Sequence, residues 1–176
     1  MVIFVEGPDE TGKTHIAKAL CEEFGLQYWK NEDNEEFEKR EFHTLLKFHY
    51  AKLPKMCKLF QGMESGVVFD RNFITEAVYS KVFNRPTYPE VLEQLNKDYA
   101  ELKAVTVYCY KTDYRKFEDP HVNVERMKEI EEEYMRYFMN HIEIPTLMLD
   151  TTDENLQRQI KTIKEFLMRR YYGDYS

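Results

Sequence analysis

Several marks of common protein classes are scarce or missing in this chain. It holds three cysteines in 176 residues, Cys21, Cys57 and Cys109, an odd number without metal-ligand spacing. That pattern excludes a disulfide scaffold and reads as reduced, mostly buried thiols of a cytoplasmic protein. No apolar run approaches membrane-spanning length, and Met1 leads straight into a strand-like run. Neither a membrane segment nor a signal peptide is therefore expected. Positive charge is also in deficit, with 25 Lys and Arg against 32 Asp and Glu and a net charge of −7. A large sequence-independent grip on a nucleic-acid backbone depends on Lys and Arg, so a nucleic-acid partner is not expected. Nothing repeats and no segment is of low complexity; the length fits one domain over 1–176.

What is present is concentrated at the start. Val2 to Val5 form a buried-strand pattern that runs into Glu6-Gly7-Pro8-Asp9-Glu10-Thr11-Gly12-Lys13-Thr14, a GxxxxGKT phosphate loop. Gly7 and Gly12 permit backbone conformations that a Cβ resists, so successive N–H groups of the loop can point at phosphate oxygens. Lys13 adds a mobile cation for the β- and γ-phosphates, and the Thr14 hydroxyl is placed to ligate Mg²⁺. Apolar residues at 16, 17, 20, 21 and 24, closed by Gly25, predict a helix that begins inside the loop with its positive end on the phosphates. A small phosphorylated ligand held by a few local cations suits the acidic balance of the chain.

Strand-like runs recur at Val2 to Val5, Leu26 to Trp29, Gly66 to Phe69, Ala104 to Tyr110 and Pro145 to Leu149, with helical patterns between them. The alternation predicts an α/β fold, a parallel five-stranded sheet flanked by helices, in the P-loop NTPase architecture. Helices are expected from Glu35 to Leu53, interrupted by Pro54 and resuming to Phe60, and at Ile74 to Phe83, Pro89 to Leu102, Val124 to Met139 and Glu154 to Tyr172. The last presents Leu156, Ile160, Ile163 and Leu167 on one face.

Gly66-Val67-Val68-Phe69-Asp70-Arg71-Asn72 is an apolar strand that ends in an acid and a base. Ligands of open α/β sheets sit at the carboxyl ends of strands, so both side chains are expected in the crevice of the phosphate loop. Asp70 can hold Mg²⁺ directly or through water, and Arg71 can grip a second phosphate group by its planar fork; a surface ion pair is the plain alternative. The charged stretch after the fourth strand, with Arg115, Lys116 and Pro120, predicts either a closing lid over about 111–126 or an ordinary surface loop.

On these two blocks and the order of elements, the chain resembles the thymidylate kinase-like branch of the P-loop nucleoside and nucleotide kinases. The resemblance implies that Asp9 lies near the sugar hydroxyl of an acceptor nucleotide, and that Glu6 matches the glutamate serving as base for an accepting hydroxyl in related deoxynucleoside kinases. Either acid can instead be a hydrogen-bond acceptor that stabilises the loop. It further implies that Phe48 stacks on the acceptor base, that Lys52 contacts the base edge, and that Arg40 meets the acceptor phosphate together with Arg71. The chain also departs from the family. Some thymidylate kinases carry a catalytic arginine in the phosphate loop, whereas Glu10 stands at the nearest position here. The missing cation is then expected from the lid, with Arg115 ahead of Lys116 and Arg126. Asn72 replaces the residue, often aromatic, that follows the Asp-Arg pair, and Phe73 is a candidate for its role.

The expected reaction is transfer of the γ-phosphoryl group of ATP·Mg²⁺ to a deoxynucleoside monophosphate, dTMP or a related pyrimidine nucleotide. Such chemistry needs positioning and charge neutralisation more than covalent help. An ionised acceptor phosphate needs no general base; a sugar hydroxyl would make Glu6 necessary. A deoxynucleoside or a modified base in DNA is the alternative acceptor, the latter served by Lys47, Lys52, Lys55 and Lys58 if these are not simply a solvated helix face. A regulatory NTPase is the rival of another class, although no NKxD-type guanine-reading motif is present. Fold analogy puts the loop Asp150 to Asp153 beside the adenine. Aromatics of the helix from Glu35 to Phe60 either pair two copies into a homodimer or fill the core.

Overall fold

The structure, a computed structural model, describes residues 1–30, 42–113, 124–141 and 143–173, of which 42–51 are described by backbone alone. Among the described residues, five strands and six helices follow one another: β1 (Val2–Glu6), α1 (Lys13–Phe24), β2 (Gln27–Lys30), α2 (Phe42–Gly62), β3 (Val67–Asp70), α3 (Phe73–Val82), α4 (Pro89–Glu101), β4 (Val105–Tyr110), α5 (Val124–Asn140), β5 (Thr146–Asp150) and α6 (Leu156–Tyr172). The strands form one sheet in the order β2-β3-β1-β4-β5, with every neighbouring pair parallel. The expected fold class is thus observed, with strand boundaries displaced by a residue. Among the described residues no helix is long and apolar enough to cross a membrane.

Alternation along β1 explains the two packed faces. Ile3 and Val5 point to the side covered by α1 and α6, where Ile16, Leu20, Ile163 and Leu167 are buried. Val2 and Phe4 point to the other side, which is rich in aromatic rings. There Phe4 meets Tyr99 edge to face at 4.7 Å, and Phe73 stacks on Tyr99 at 5.5 Å. A strand buried on both faces must be apolar throughout, and β1 is so up to Glu6.

Two expectations are corrected. Pro54 lies inside a continuous α2 and does not interrupt it. A proline in a helix interior costs about 3 kcal/mol, but Leu53 and Cys57, four residues apart and both buried in the aromatic core, hold the helix on either side of it. Phe73 is also fully buried, stacked in that core, so it does not line the crevice. On α6, Ile163 and Leu167 are buried as expected while Leu156 is exposed at the first turn.

The sheet sets the site through register. Val5 lies beside Asp70 and Glu6 beside Tyr108, so the carboxyl ends of β3, β1 and β4 open at one level. The chain runs from β1 out to β2 and returns through β3, with β4 on the opposite side of β1. That reversal of strand order is where open α/β sheets form their ligand crevice.

Candidate active site

The loop leaving β1 needs glycine at its first turn. Gly7 has φ 138°, and a Cβ there would come 2.1 Å from the Cys109 carbonyl oxygen on β4. Gly12 (φ 78°) precedes α1 and gives its first turn no side-chain cap. The opening amides of α1 are therefore oriented for an anion with no side chain competing for them. Thr11 donates to the Pro8 carbonyl at 2.9 Å and closes the loop on itself. Lys13 folds back onto the same loop, donating to Pro8 O and, at 3.3 Å, to Thr11 Oγ1. Burial lowers the Lys13 ammonium from its usual value to about 8, and the neighbouring positive charge of Arg71 adds to that fall. Glu10 sits in the left-handed region (φ 59°) and is exposed.

Thr14 and Asp70 meet at the mouth of this loop. The Thr14 hydroxyl donates to Asp70 Oδ2 at 2.6 Å, and Tyr28 on β2 donates its hydroxyl to the same oxygen at 2.8 Å. Burial, and then Asp70, hold the Tyr28 phenol above its usual range, so it stays a donor. A hydroxyl and a carboxylate beside a phosphate cradle suit Mg²⁺, which takes one or two protein oxygens and fills its octahedron with phosphates and water. Among the described residues no group of three or more His, Cys, Asp and Glu side chains forms a metal site. A nucleotide-borne Mg²⁺ requires none.

Arg71 follows directly, with φ 68°. A left-handed arginine costs about 1–2 kcal/mol, a strain that concentrates at functional turns. Here it aims the guanidinium across the phosphate loop, where it forms an ion pair with Asp9. Arg71 lies over the Tyr79 ring at 5.3 Å, and Tyr79 donates to the other Asp9 oxygen at 3.1 Å. Asp9, Arg71 and Tyr79 make one cluster, only partly exposed at Arg71 (24%) and Asp9 (34%).

Glu6 lies beneath that cluster and is fully buried. One of its oxygens accepts from the Asn72 amide at 2.8 Å; the other accepts from Thr75 Oγ1 at 2.5 Å, with Tyr134 OH at 3.4 Å. Burial pushes the carboxyl up to about 7, against the opposing pull of the Thr75 hydroxyl, the Asn72 amide, Arg71 and Lys13.

The phosphate-loop residues, Lys13, Thr14, Asp70, Arg71, Asp9 and Glu6 therefore converge. Arg40, Arg115 and Lys116 lie outside the described residues, as does most of the candidate lid, and Phe48 is placed only as a backbone position of α2. Lys52 is exposed on α2. Arg126 stands in the first turn of α5, paired with Glu129 at 2.5 Å and lying over Phe83 at 5.5 Å. Beyond Thr112, whose amide donates to Thr152 Oγ1 at 2.9 Å, the loop after β5 is held by Arg158, which donates to Asp153 and to the Asp150 carbonyl. A separate surface groove between α1 and α6 is lined by none of the phosphate-loop residues.

Sequence reasoning missed Tyr28, Thr75, Tyr79 and Tyr134. A signal existed for two of them. Asn72 is an N-cap residue, its side chain accepting from Phe73 N at 2.7 Å, and a helix begun there puts Thr75 and Tyr79 on one face, four residues apart, turned toward the end of β1.

Neither a protein-family model nor a curated relative matches the sequence. Solved structures do match. The YorR protein of Bacillus subtilis, in complex with phosphorylated GDP, superposes with a TM-score of 0.75 at 22% identity, covering 98% of each chain. Thymidylate kinase from Candida albicans gives 0.64 at 13% identity over 98% of this chain and 92% of its own. Deoxyadenosine kinase from M. mycoides, with dCMP and dCDP, gives 0.63 at 16% identity over 95% and 98%. The chain has the fold of the thymidylate and deoxynucleoside kinase-like P-loop kinases.

Proposed function

We propose that this chain is an ATP-dependent nucleotide kinase that transfers the γ-phosphoryl group to a deoxynucleoside monophosphate, dTMP or a related pyrimidine nucleotide. The observation that carries this reading is the Arg71–Asp9–Tyr79 cluster at the rim of the phosphate loop. A site for nucleotide alone needs the loop, Lys13 and the Thr14–Asp70 pair; a second cation, held at the rim of the loop by Asp9 and the face of Tyr79, serves a second anionic group. In this reading the backbone N–H groups of the loop from Gly7 to Thr14, Pro8 having none, hold the donor, and Lys13 leaves the Pro8 carbonyl for the β- and γ-phosphates. Thr14 and Asp70 hold Mg²⁺, which neutralises charge on the transferring group. Arg71 exchanges part of its pairing with Asp9 for the acceptor phosphate, and Asp9 is released toward the sugar hydroxyl.

Glu6 favours a phosphate acceptor over a hydroxyl one. A general base must reach the proton that it removes, and this carboxylate is fully buried with both oxygens engaged. An acceptor phosphate is already ionised near neutral pH and needs no base. A deoxynucleoside acceptor is the second reading, favoured by the likeness to deoxyadenosine kinase. With Glu10 in the loop, the remaining cation comes from Arg115, Lys116 or Arg126, and Arg40, Phe48 and Lys52 complete the acceptor side. Pairing of two copies through α2 and a cytoplasmic location, in keeping with three free cysteines, belong to the same proposal.

A panel of deoxynucleosides, their monophosphates and DNA offered with ATP·Mg²⁺ tests the reading. Product from a pyrimidine monophosphate is expected; product from nucleosides alone moves the acceptor to a hydroxyl. Stoichiometric ATP binding without transfer to any acceptor overturns the kinase reading in favour of a regulatory NTPase.

A further inference from the structure

We propose that Thr75 on α3 and Tyr134 on α5 are positioning residues for Arg71, acting through the buried carboxylate of Glu6. The left-handed turn that aims Arg71 is fixed by two successive amides that donate to the end of β1: Arg71 N to the Val5 carbonyl at 3.0 Å, and Asn72 N to Glu6 Oε1 at 2.8 Å. Glu6 therefore anchors the turn, and whatever fixes Glu6 fixes the guanidinium. The oxygen of Glu6 that does not hold the turn, Oε2, is held by Thr75 at 2.5 Å, and Thr75 lies 2.8 Å from Tyr134 OH.

Proton counting orders this chain. A hydroxyl has one hydrogen to donate. With Glu6 ionised, Thr75 gives its hydrogen to Glu6, so Tyr134 gives its own to Thr75, leaning toward Glu6 at 3.4 Å as well. Tyr134 is fully buried and its phenol is held well above its usual range by burial and by Glu6, so it has that hydrogen to give. The order runs Tyr134, Thr75, Glu6, Asn72 amide, and ends at the backbone of Arg71. Removing the Thr75 hydroxyl leaves a buried carboxylate oxygen with a single distant donor, and such an oxygen moves or takes up a proton to be satisfied. The anchor of the turn moves with it.

A purely structural role predicts lower stability and nothing specific to the acceptor; positioning of Arg71 predicts more. Thr75→Val keeps shape and loses the hydrogen bond, and Tyr134→Phe removes only the phenolic oxygen. Resting on the acceptor reading above, each is expected to lower kcat/KM for the monophosphate about tenfold while KM for ATP stays within about twofold, and Thr75→Ser restores the wild-type value. The Thr75→Val effect should vanish in an Arg71→Ala background, since a residue acting through another has nothing left to act on. Equal losses for donor and acceptor, or full additivity with Arg71→Ala, overturn the proposal. Amide hydrogen exchange keeps this separate from the acceptor reading. Should the wild type phosphorylate no monophosphate, that reading falls, yet the Asn72 and Arg71 amides should still exchange about tenfold faster in Thr75→Val and Tyr134→Phe, with the Phe4 amide of β1 unchanged. Unaltered exchange at 71 and 72, or faster exchange at all three, contradicts the positioning role.

Discussion

Replacing Glu6 with glutamine should stabilise the protein at neutral pH and do almost nothing at pH 4.5. The carboxyl is fully buried, and burial raises it from about 4.5 to about 7 despite three donors and two nearby cations. Between those values the folded state binds a proton that the unfolded chain has released, so stability contributed by this group is complete below pH 4.5 and is lost as pH rises through 7. At 1.36 kcal/mol for each pKa unit the loss amounts to about 3 kcal/mol. Glutamine has the shape of the protonated acid and does not titrate; its amide oxygen can keep the Asn72 contact while its amide nitrogen donates to Thr75. Urea unfolding of wild type and Glu6→Gln, run side by side from pH 4.5 to 8, isolates the group because every other carboxylate is common to both. The gap should open in favour of glutamine by about 3 kcal/mol, equivalent to roughly 10 °C in Tm for a domain of this size. A gap that stays flat, or one that widens toward acid, refutes the burial argument. The same variant should retain most activity on a monophosphate.

Lys13, held near pH 8 by burial, should make ATP binding proton-linked. Affinity should fall as pH rises through 8, and calorimetry in buffers of different ionisation enthalpy should detect uptake of roughly half a proton at pH 8; the same uptake in Lys13→Ala would contradict this. Lys13→Ala should also abolish transfer to every acceptor. Gly7→Ala should cost about 3 kcal/mol or more by chemical denaturation, because its Cβ meets the Cys109 carbonyl and its φ is 138°. Asp70→Asn should raise the Mg²⁺ concentration for half-maximal activity about tenfold while ATP-free stability changes little, read from a Mg²⁺ titration and a melting curve.

The elements of the fold and one wall of the site are written locally in the chain. The apolar run before Gly7, the spacing to Lys13 and Thr14, and the strand ending at Asp70-Arg71 each express a requirement met within about a dozen residues, so sequence carries them. Pro54 misled because a local penalty was offset by burial of Leu53 and Cys57 on either side. Phe73 misled for a related reason, since the partner that claims it, Tyr99, comes 26 residues later. Thr75 and Tyr79 were half legible from the cap at Asn72 and the helical period. Tyr28 reaches Asp70 across 42 residues and Tyr134 reaches Glu6 across 128. Nothing in the neighbourhood of either tyrosine indicates those partners, and the burial that sets the state of Glu6 exists only once β1, α3 and α5 have packed.

Arg71→Ala tests most directly whether the Arg71–Asp9–Tyr79 cluster is an acceptor-phosphate site. Steady-state kinetics with ATP·Mg²⁺ and a pyrimidine monophosphate should show kcat/KM for the acceptor falling about 100-fold, the loss of a charge-assisted contact worth about 3 kcal/mol, with KM for ATP within about twofold of wild type. Acceptor kinetics unchanged by the substitution, or a loss confined to ATP, would contradict the two-substrate site proposed for this fold.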